Sequence, residues 1–218
     1  MNLQDQITEF QKEFLKDVPD EVLKIILQAT EKLAQSGIKN NSLKVGDKAP
    51  SFSLPGVNGK PVSSIQLLEK GPLILNFYRG GWCPYCNLEL KAYQEILPEI
   101  KGLGAQLVAI SPNMPDKSLS TIEKNSLTFK VLSDVGNKVT RKFGLLFTLD
   151  DNLRPIYKQF GINITEDNGD DSYELPFPAT YVVNYDGTIV LAFVDADYTK
   201  RLDPMEVLKT LKTLKSKA

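Results

Sequence analysis

The run Phe77-Tyr78-Arg79-Gly80-Gly81-Trp82-Cys83-Pro84-Tyr85-Cys86 holds the only two cysteines of a 218-residue chain. Ahead of them, Pro72 to Tyr78 is short and apolar, which predicts a buried strand. After them, Leu88, Leu90, Tyr93, Ile96, Leu97 and Ile100 recur at helical spacing. A Cys-x-x-Cys pair at a strand-to-helix junction restricts the fold: the strand must deliver both sulfurs to the start of a helix. There the unpaired N–H groups and the positive end of the helix dipole favour a thiolate, the nucleophilic form of cysteine. Arg79 adds a positive charge at the strand end. Pro84 fits the first helical turn, where its missing N–H costs nothing.

Composition removes whole classes of chemistry. The chain has no histidine, which excludes Ser-His-Asp and Cys-His catalysis and any His-ligated metal or haem. Zinc at Cys83 and Cys86 would need further ligands that no third Cys or His provides, so neither metal nor cofactor is expected. A net charge of −1 argues against nucleic acid and anionic membrane surfaces as partners. No stretch approaches the apolar length of a membrane span, and the N-terminus lacks the pattern of a signal peptide. A cytoplasmic protein is expected. In that compartment a disulfide between the two cysteines is catalytic rather than structural.

Two amphipathic helices open the chain. Leu3, Ile7, Phe10 and Phe14 make one stripe; Val22, Leu23, Ile26, Leu27, Thr30 and Leu33 make the next, started by Pro19-Asp20-Glu21 and stopped by Gly37. Both are expected to pack on the main domain. Residues 1–38 are thus a helical N-terminal extension, Lys39 to Lys44 a polar linker, and residues 43–218 the main domain. Asn58-Gly59 signals a hairpin. Beyond the Pro72–Tyr78 strand, one helix is expected from Pro84 to Lys101, a strand over Gln106–Ile110, a helix over 115–125, a strand over Thr128–Leu132, and helices over Lys138–Phe143 and 150–160. Residues 161–174, rich in Asn, Asp and Gly, are expected as a loop whose acids Asp167, Asp170, Asp171 and Glu174 face solvent. Thr180–Asn184 and Thr188–Val194 flank the turn Tyr185-Asp186-Gly187. Pro204–Leu214 is the last helix, with Lys209, Lys212, Lys215 and Lys217 at its negative end. Alternating strands and helices closed by a hairpin and helix give an α/β fold, a central mixed sheet flanked by helices.

Val45-Gly46-Asp47-Lys48-Ala49-Pro50 with Phe52 and Leu54, Ser133-Asp134 after a strand, and Asp186-Gly187 after Thr180–Asn184 resemble the alkyl hydroperoxide reductase/thiol-specific antioxidant superfamily. The resemblance spans roughly residues 43–214. The decapeptide around the cysteines is similar to that of its peroxiredoxin-like subgroup with a Cys-x-x-Cys site. The resemblance implies a thioredoxin-like fold and an antioxidant enzyme that reduces hydroperoxides. Peroxiredoxins carry Pro-x-x-x-Thr/Ser-x-x-Cys; laid on this chain, the peroxide-attacking cysteine falls on Cys86, the threonine on Cys83 and the proline on Arg79. The arginine that completes such sites is replaced by Pro178, where thioredoxins have a cis-proline. A cis bond is therefore expected before Pro178, with Pro176 as the competing position. Pro84-Tyr85 also matches glutaredoxins, whose domains are shorter. Trp82 is expected to pack beside the site.

Two enzymatic readings follow. In the first, Cys86 attacks a hydroperoxide, Cys83 condenses with the sulfenic acid, and thioredoxin or another small thiol opens the disulfide. In the second, Cys83, nearer the helix start and more exposed, attacks a disulfide substrate and Cys86 resolves it. A non-catalytic redox sensor is a third reading. Monomer and homodimer are both compatible with the sequence. Whichever reading holds, mild oxidation should remove two free thiols per chain without crosslinking chains; intermolecular disulfides on a non-reducing gel would contradict this.

Overall fold

The computed structural model describes residues 2–216; Lys217 lies outside them. The N-terminal helices are α1 (Leu3–Asp17) and α2 (Asp20–Gln35). Asn2 caps α1 by accepting the Asp5 N–H at 2.8 Å. A 3-10 turn, Ile38–Asn41, occupies the expected linker. Then come β1 (Ser53–Pro55), β2 (Pro61–Ser63), α3 (Ser64–Leu68), β3 (Leu73–Phe77), α4 (Pro84–Glu95), α5 (Leu97–Gly102), β4 (Gln106–Ser111), α6 (Pro115–Asn125), β5 (Lys130–Ser133) and α7 (Lys138–Lys142). The chain finishes with β6 (Leu146–Thr148), α8 (Leu153–Gln159), α9 (Ile164–Asn168), β7 (Glu174–Pro176), β8 (Ala179–Val183), β9 (Ile189–Val194) and α10 (Pro204–Lys215).

The central sheet has the order β5-β4-β3-β8-β9. β3 pairs in parallel with β4, as β4 does with β5, and antiparallel with β8, as β8 does with β9. Side chains alternate across β3. Leu73, Leu75 and Phe77 enter one apolar cluster, and Ile74 and Tyr78 enter the other, with Cys83, Cys86 and α4. The N-terminal helices use both faces. Leu3 and Ile7 of α1 join the α4 side, and Ile26 of α2 joins the opposite side. Packing on the main domain is what their stripes lead one to expect.

Four expectations are corrected. The helix after the cysteines breaks at Ile96 (φ −92°, ψ 3°), because Pro98 has no N–H for the Gln94 carbonyl. Residues 161–174 hold the short helix α9: buried Ile164 anchors it, and Asn168 is drawn in by a 2.9 Å hydrogen bond from Asn113. Helix α8 starts only at Leu153, after an Asp150–Asn152 turn. No described peptide bond is cis. The chain through Pro176 and Pro178 stays extended because β7 pairs with β6, the Phe177 N–H donates to Leu145, and Ala179 pairs with Phe77. Helix α3 and the β6–β7 pair had no strong sequence signal.

The Ser133-Asp134 pair has a clear structural use. Fully buried Asp134 accepts from the Val139 and Thr140 N–H groups and the Thr140 hydroxyl at 2.8–3.0 Å, fixing the start of α7. Asp134→Ala should destabilise the fold by about 2–3 kcal/mol by orphaning those donors. The expected result is a lower urea midpoint at unchanged slope, with a smaller loss for Asp134→Asn.

Candidate active site

The strand β3 ends under the loop Tyr78–Trp82, which admits no bulk. A Cβ on Gly81 would lie 2.2 Å from the Thr121 hydroxyl, and one on Gly80 (φ +154°) would collide with Trp82. Three amides hold this loop. Asn113 accepts the Gly81 N–H at 3.0 Å, Asn87 donates to the Gly81 carbonyl at 2.9 Å, and Asn125 donates to Asn87 at 2.9 Å. The loop therefore delivers Cys83 to the N-cap of α4 in extended conformation (φ −82°, ψ 114°), with Pro84 at the first helical position.

Both cysteines are free and buried, Cys83 at 1% and Cys86 at 0% exposure. The expected exposure of Cys83 does not hold, because Tyr85, Phe10 of α1 and Tyr198 cover this end of the helix. Phe10 and Tyr198 meet Tyr85 edge-on at 5.2 and 5.6 Å.

Burial pushes both thiols up. At Cys83 it is overcome by the hydrogen bond from the Cys86 thiol, the guanidinium charges of Arg79 and Arg201, and the Cys86 N–H, which together lower it to about 6. Cys86, buried and beside the Cys83 thiolate to which it donates, is pushed well above the ordinary thiol range. The two sulfurs sit close enough to titrate together, and their surroundings push Cys83 toward the thiolate and Cys86 toward the thiol.

Arg79 is 2% exposed. It donates to the Tyr157 hydroxyl, and its guanidinium lies 5.0 Å from the Trp82 ring centre and 4.4 Å from that of Tyr198. Trp82 does pack beside the site, and also meets Tyr157 edge-on at 5.7 Å. Pro178 is buried and borders, with Arg79, Tyr157 and Tyr198, a cavity between α2 and the β6–α8 connection.

Sequence reasoning missed Arg201 and Glu89. Arg201 Nη2 donates to Cys86 Sγ at 3.4 Å, and its Nε lies 2.8 Å from Glu89 Oε2, with both side chains at most 2% exposed. The same guanidinium ties down its own loop by donating to the carbonyls of Tyr198 and Lys200. Glu89 accepts from the Thr180 hydroxyl at 3.3 Å, and Thr180 also meets Asn76 and Tyr93. Burial raises Glu89 to about 7 against the pull of Arg201. Cys86, Glu89 and Tyr93 follow helical spacing, so a carboxylate facing the cysteine was legible on the α4 face. Nothing local marks Arg201, which sits in an irregular loop. The acids of 161–174 stay apart from the cysteines: Asp167 pairs with Lys117 at 3.4 Å and Glu174 with Arg141 at 2.8 Å.

No helix among the described residues is long and apolar enough to cross a membrane. The chain is similar to Peroxiredoxin Bcp of Escherichia coli (33% identity over 105 residues, 48% of this chain and 67% of that protein). It is also similar to the chloroplastic Peroxiredoxin Q of Sedum lineare (29% over 171 residues, 78% of each). Among solved structures, Peroxidoxin BcpB from Mycobacterium tuberculosis superposes with a TM-score of 0.62 at 23% identity, over 79% of this chain and 98% of that one. A reduced 2-Cys peroxiredoxin from Plasmodium vivax gives 0.61 at 17%, over 80% and 83%. These last two likenesses bear on the fold, that of the peroxiredoxins, as the sequence leads one to expect. The AhpC/TSA family profile matches residues 45–192, a stretch that includes the strand, the loop and the helix carrying Cys83 and Cys86: the chain belongs to the AhpC/TSA family.

Proposed function

We propose that this chain is a thiol-dependent peroxidase in which Cys83 attacks the hydroperoxide and Cys86 resolves. The observation that carries it is the setting of the two sulfurs: Cys83 stands at the N-cap of α4 within reach of the charge of buried Arg79, and Cys86 one turn on accepts from buried Arg201 at 3.4 Å, a setting that lowers Cys83 and raises Cys86. The Cys83 sulfur attacks one peroxide oxygen. An S–O bond forms, the O–O bond breaks, and the departing oxygen takes up a proton. Cys83 is then a sulfenic acid. Cys86 loses its proton, attacks the Cys83 sulfur and expels water, leaving the Cys83–Cys86 disulfide. Two electrons from a dithiol reductant restore both thiols.

This assignment reverses the roles that alignment with the peroxiredoxin motif implies. The reason is acidity: the thiolate is the nucleophile, and Cys86 is held protonated. Two buried guanidinium groups acting on the sulfurs supply the positive charge that stabilises developing negative charge on the leaving oxygen, a kind of contribution typically worth about 10²–10³ in rate. Burial of both sulfurs favours a small peroxide over a protein disulfide as the oxidising substrate. A protein reductant, thioredoxin or a similar dithiol, must then meet an oxidised form whose helix start has opened. We take the site of action to be the cytoplasm, where such reductants keep thiols reduced. We also take residues 1–38 as an extension that covers the redox domain 43–218.

Two outcomes test the roles. Cys83→Ser should abolish rapid peroxide consumption, while Cys86→Ser reacts once and leaves a sulfenic acid on Cys83 that a dimedone-type probe captures. The reverse pattern would return the attack to Cys86. Separately, the peroxide rate should rise with pH through about 6 and level off above, since the reactive form is lost as pH falls through that value. Arg79→Ala and Arg201→Met should each move the inflection upward by about one unit. An unmoved inflection, followed by stopped-flow and by ultraviolet thiolate absorbance, would remove the charge argument.

A further inference from the structure

A buried guanidinium normally has an anion beside it, since an uncompensated charge out of water is costly. Arg201 follows that rule, with its Nε 2.8 Å from Glu89 Oε2. Arg79, 2% exposed, does not. Among the described residues it has no carboxylate partner and its Nε has no hydrogen-bond partner; around it stand the Tyr157 hydroxyl and the rings of Trp82, Tyr157 and Tyr198. A Cys83 thiolate compensates it only while that sulfur is reduced and ionised. Arg79 also lines the cavity between α2 and the β6–α8 connection, which measures about 510 Å³, the size of a site for a small organic molecule. The other charges of that lining are matched: Lys32 pairs with Asp150 at 2.8 Å and Asp151 with Arg154 at 2.6 Å. Tyr157, whose hydroxyl accepts from Arg79, keeps its own O–H as a second donor in the lining. Ala29 and Leu33 of α2, with Leu149 and Phe177, supply the apolar part.

We propose that this cavity binds a small organic monocarboxylate, with the carboxylate on the Arg79 guanidinium and the Tyr157 hydroxyl and the apolar body against Leu33, Leu149 and Phe177. The inference goes beyond the peroxidase reading and does not depend on it: the ligand takes no part in the thiol chemistry, and neither sulfur lines the cavity. One unmatched cation takes one negative charge, so a phosphate dianion is disfavoured, as is any anion without an apolar body. A neutral molecule of the same shape fills the walls but leaves Arg79 uncompensated. A site built around a buried polar group rejects such an analogue far more strongly than walls alone can. Arg79 stands at the proline position of the peroxiredoxin motif, and Ala29 and Leu33 lie ahead of residues 45–192, so neither the cation nor the α2 wall comes with the motif.

The test titrates the full chain with phenylacetate, with phenylacetamide as its neutral counterpart and with inorganic phosphate, at fixed ionic strength. Binding is read by calorimetry and by the fluorescence of Trp82, the sole tryptophan, whose ring centre lies 5.0 Å from the Arg79 guanidinium. Phenylacetate should saturate and bind at least about tenfold more tightly than phenylacetamide, the scale of a hydrogen bond to a charged group, and phosphate should neither saturate nor displace it. Two variants locate the site. Arg79→Met should remove the preference for phenylacetate over phenylacetamide. Leu33→Phe, which narrows the cavity from α2 and leaves the guanidinium alone, should weaken phenylacetate about tenfold. No saturable phenylacetate binding in wild type would overturn the proposal, as would equal affinity for phenylacetamide or displacement by phosphate. Unchanged phenylacetate binding in Leu33→Phe would place the ligand elsewhere and overturn it too. Peroxide turnover enters none of these measurements, so a failure of the ligand site and a failure of the peroxidase reading are told apart.

Discussion

Two guanidinium groups buried against two sulfurs set the terms for everything around them. A unit charge pair about 4 Å apart in an effective dielectric of about 20 interacts by about 4 kcal/mol, enough to move a pKa by about three units. That is the scale needed to hold Cys83 ionised against its own burial. It cannot ionise every acid in the cluster. Cys86 beside the Cys83 thiolate, and Glu89 deep under α4, are both pushed up rather than down. Between the two sulfurs the surroundings favour the anion on Cys83, while Arg201 is held in place by Glu89 at 2.8 Å.

Keeping such charges dry is a structural demand, and three separate parts of the chain meet it. The α4 face packs on Ile74, Tyr78 and Val182 of the sheet. Helix α1 brings Phe10 onto Tyr85, and the loop after β9 brings Tyr198 over Arg79. Because Arg201 bonds both Cys86 and the carbonyls of its own loop, the covering loop and the site electrostatics are one device.

What the sequence disclosed follows from what is periodic. The strand into Arg79, the helix from Pro84, the amphipathic α1 and α2 and the closing hairpin with α10 all carry repeating apolar patterns, and all are in place. The failures have local causes. Pro98 splits the helix that apolar spacing ran together. The five-residue α9 is held by Ile164 and Asn168 rather than by any propensity of its Asn- and Asp-rich segment. A cis bond at Pro178 was expected from a resemblance, and strand pairing on both sides keeps the chain extended instead. At the site, the two cysteines and Arg79 were legible because they are adjacent in sequence. Arg201, 115 positions after Cys86, became visible only through tertiary packing.

The absence of the peroxiredoxin threonine and arginine from their usual places then reads differently. Electrostatic stabilisation depends on where a charge sits in space, not on which strand delivers it. Pro178 occupies the arginine's usual place in the chain, yet a guanidinium still reaches Cys86, carried by a loop beyond residues 45–192. Arg79, standing at the motif's proline position, supplies a second cation. A threonine hydroxyl at position 83 would have been a donor to peroxide; in the proposed assignment the cysteine there is the nucleophile itself. In that assignment the reactive sulfur sits at the N-cap of α4, at the positive end of the helix.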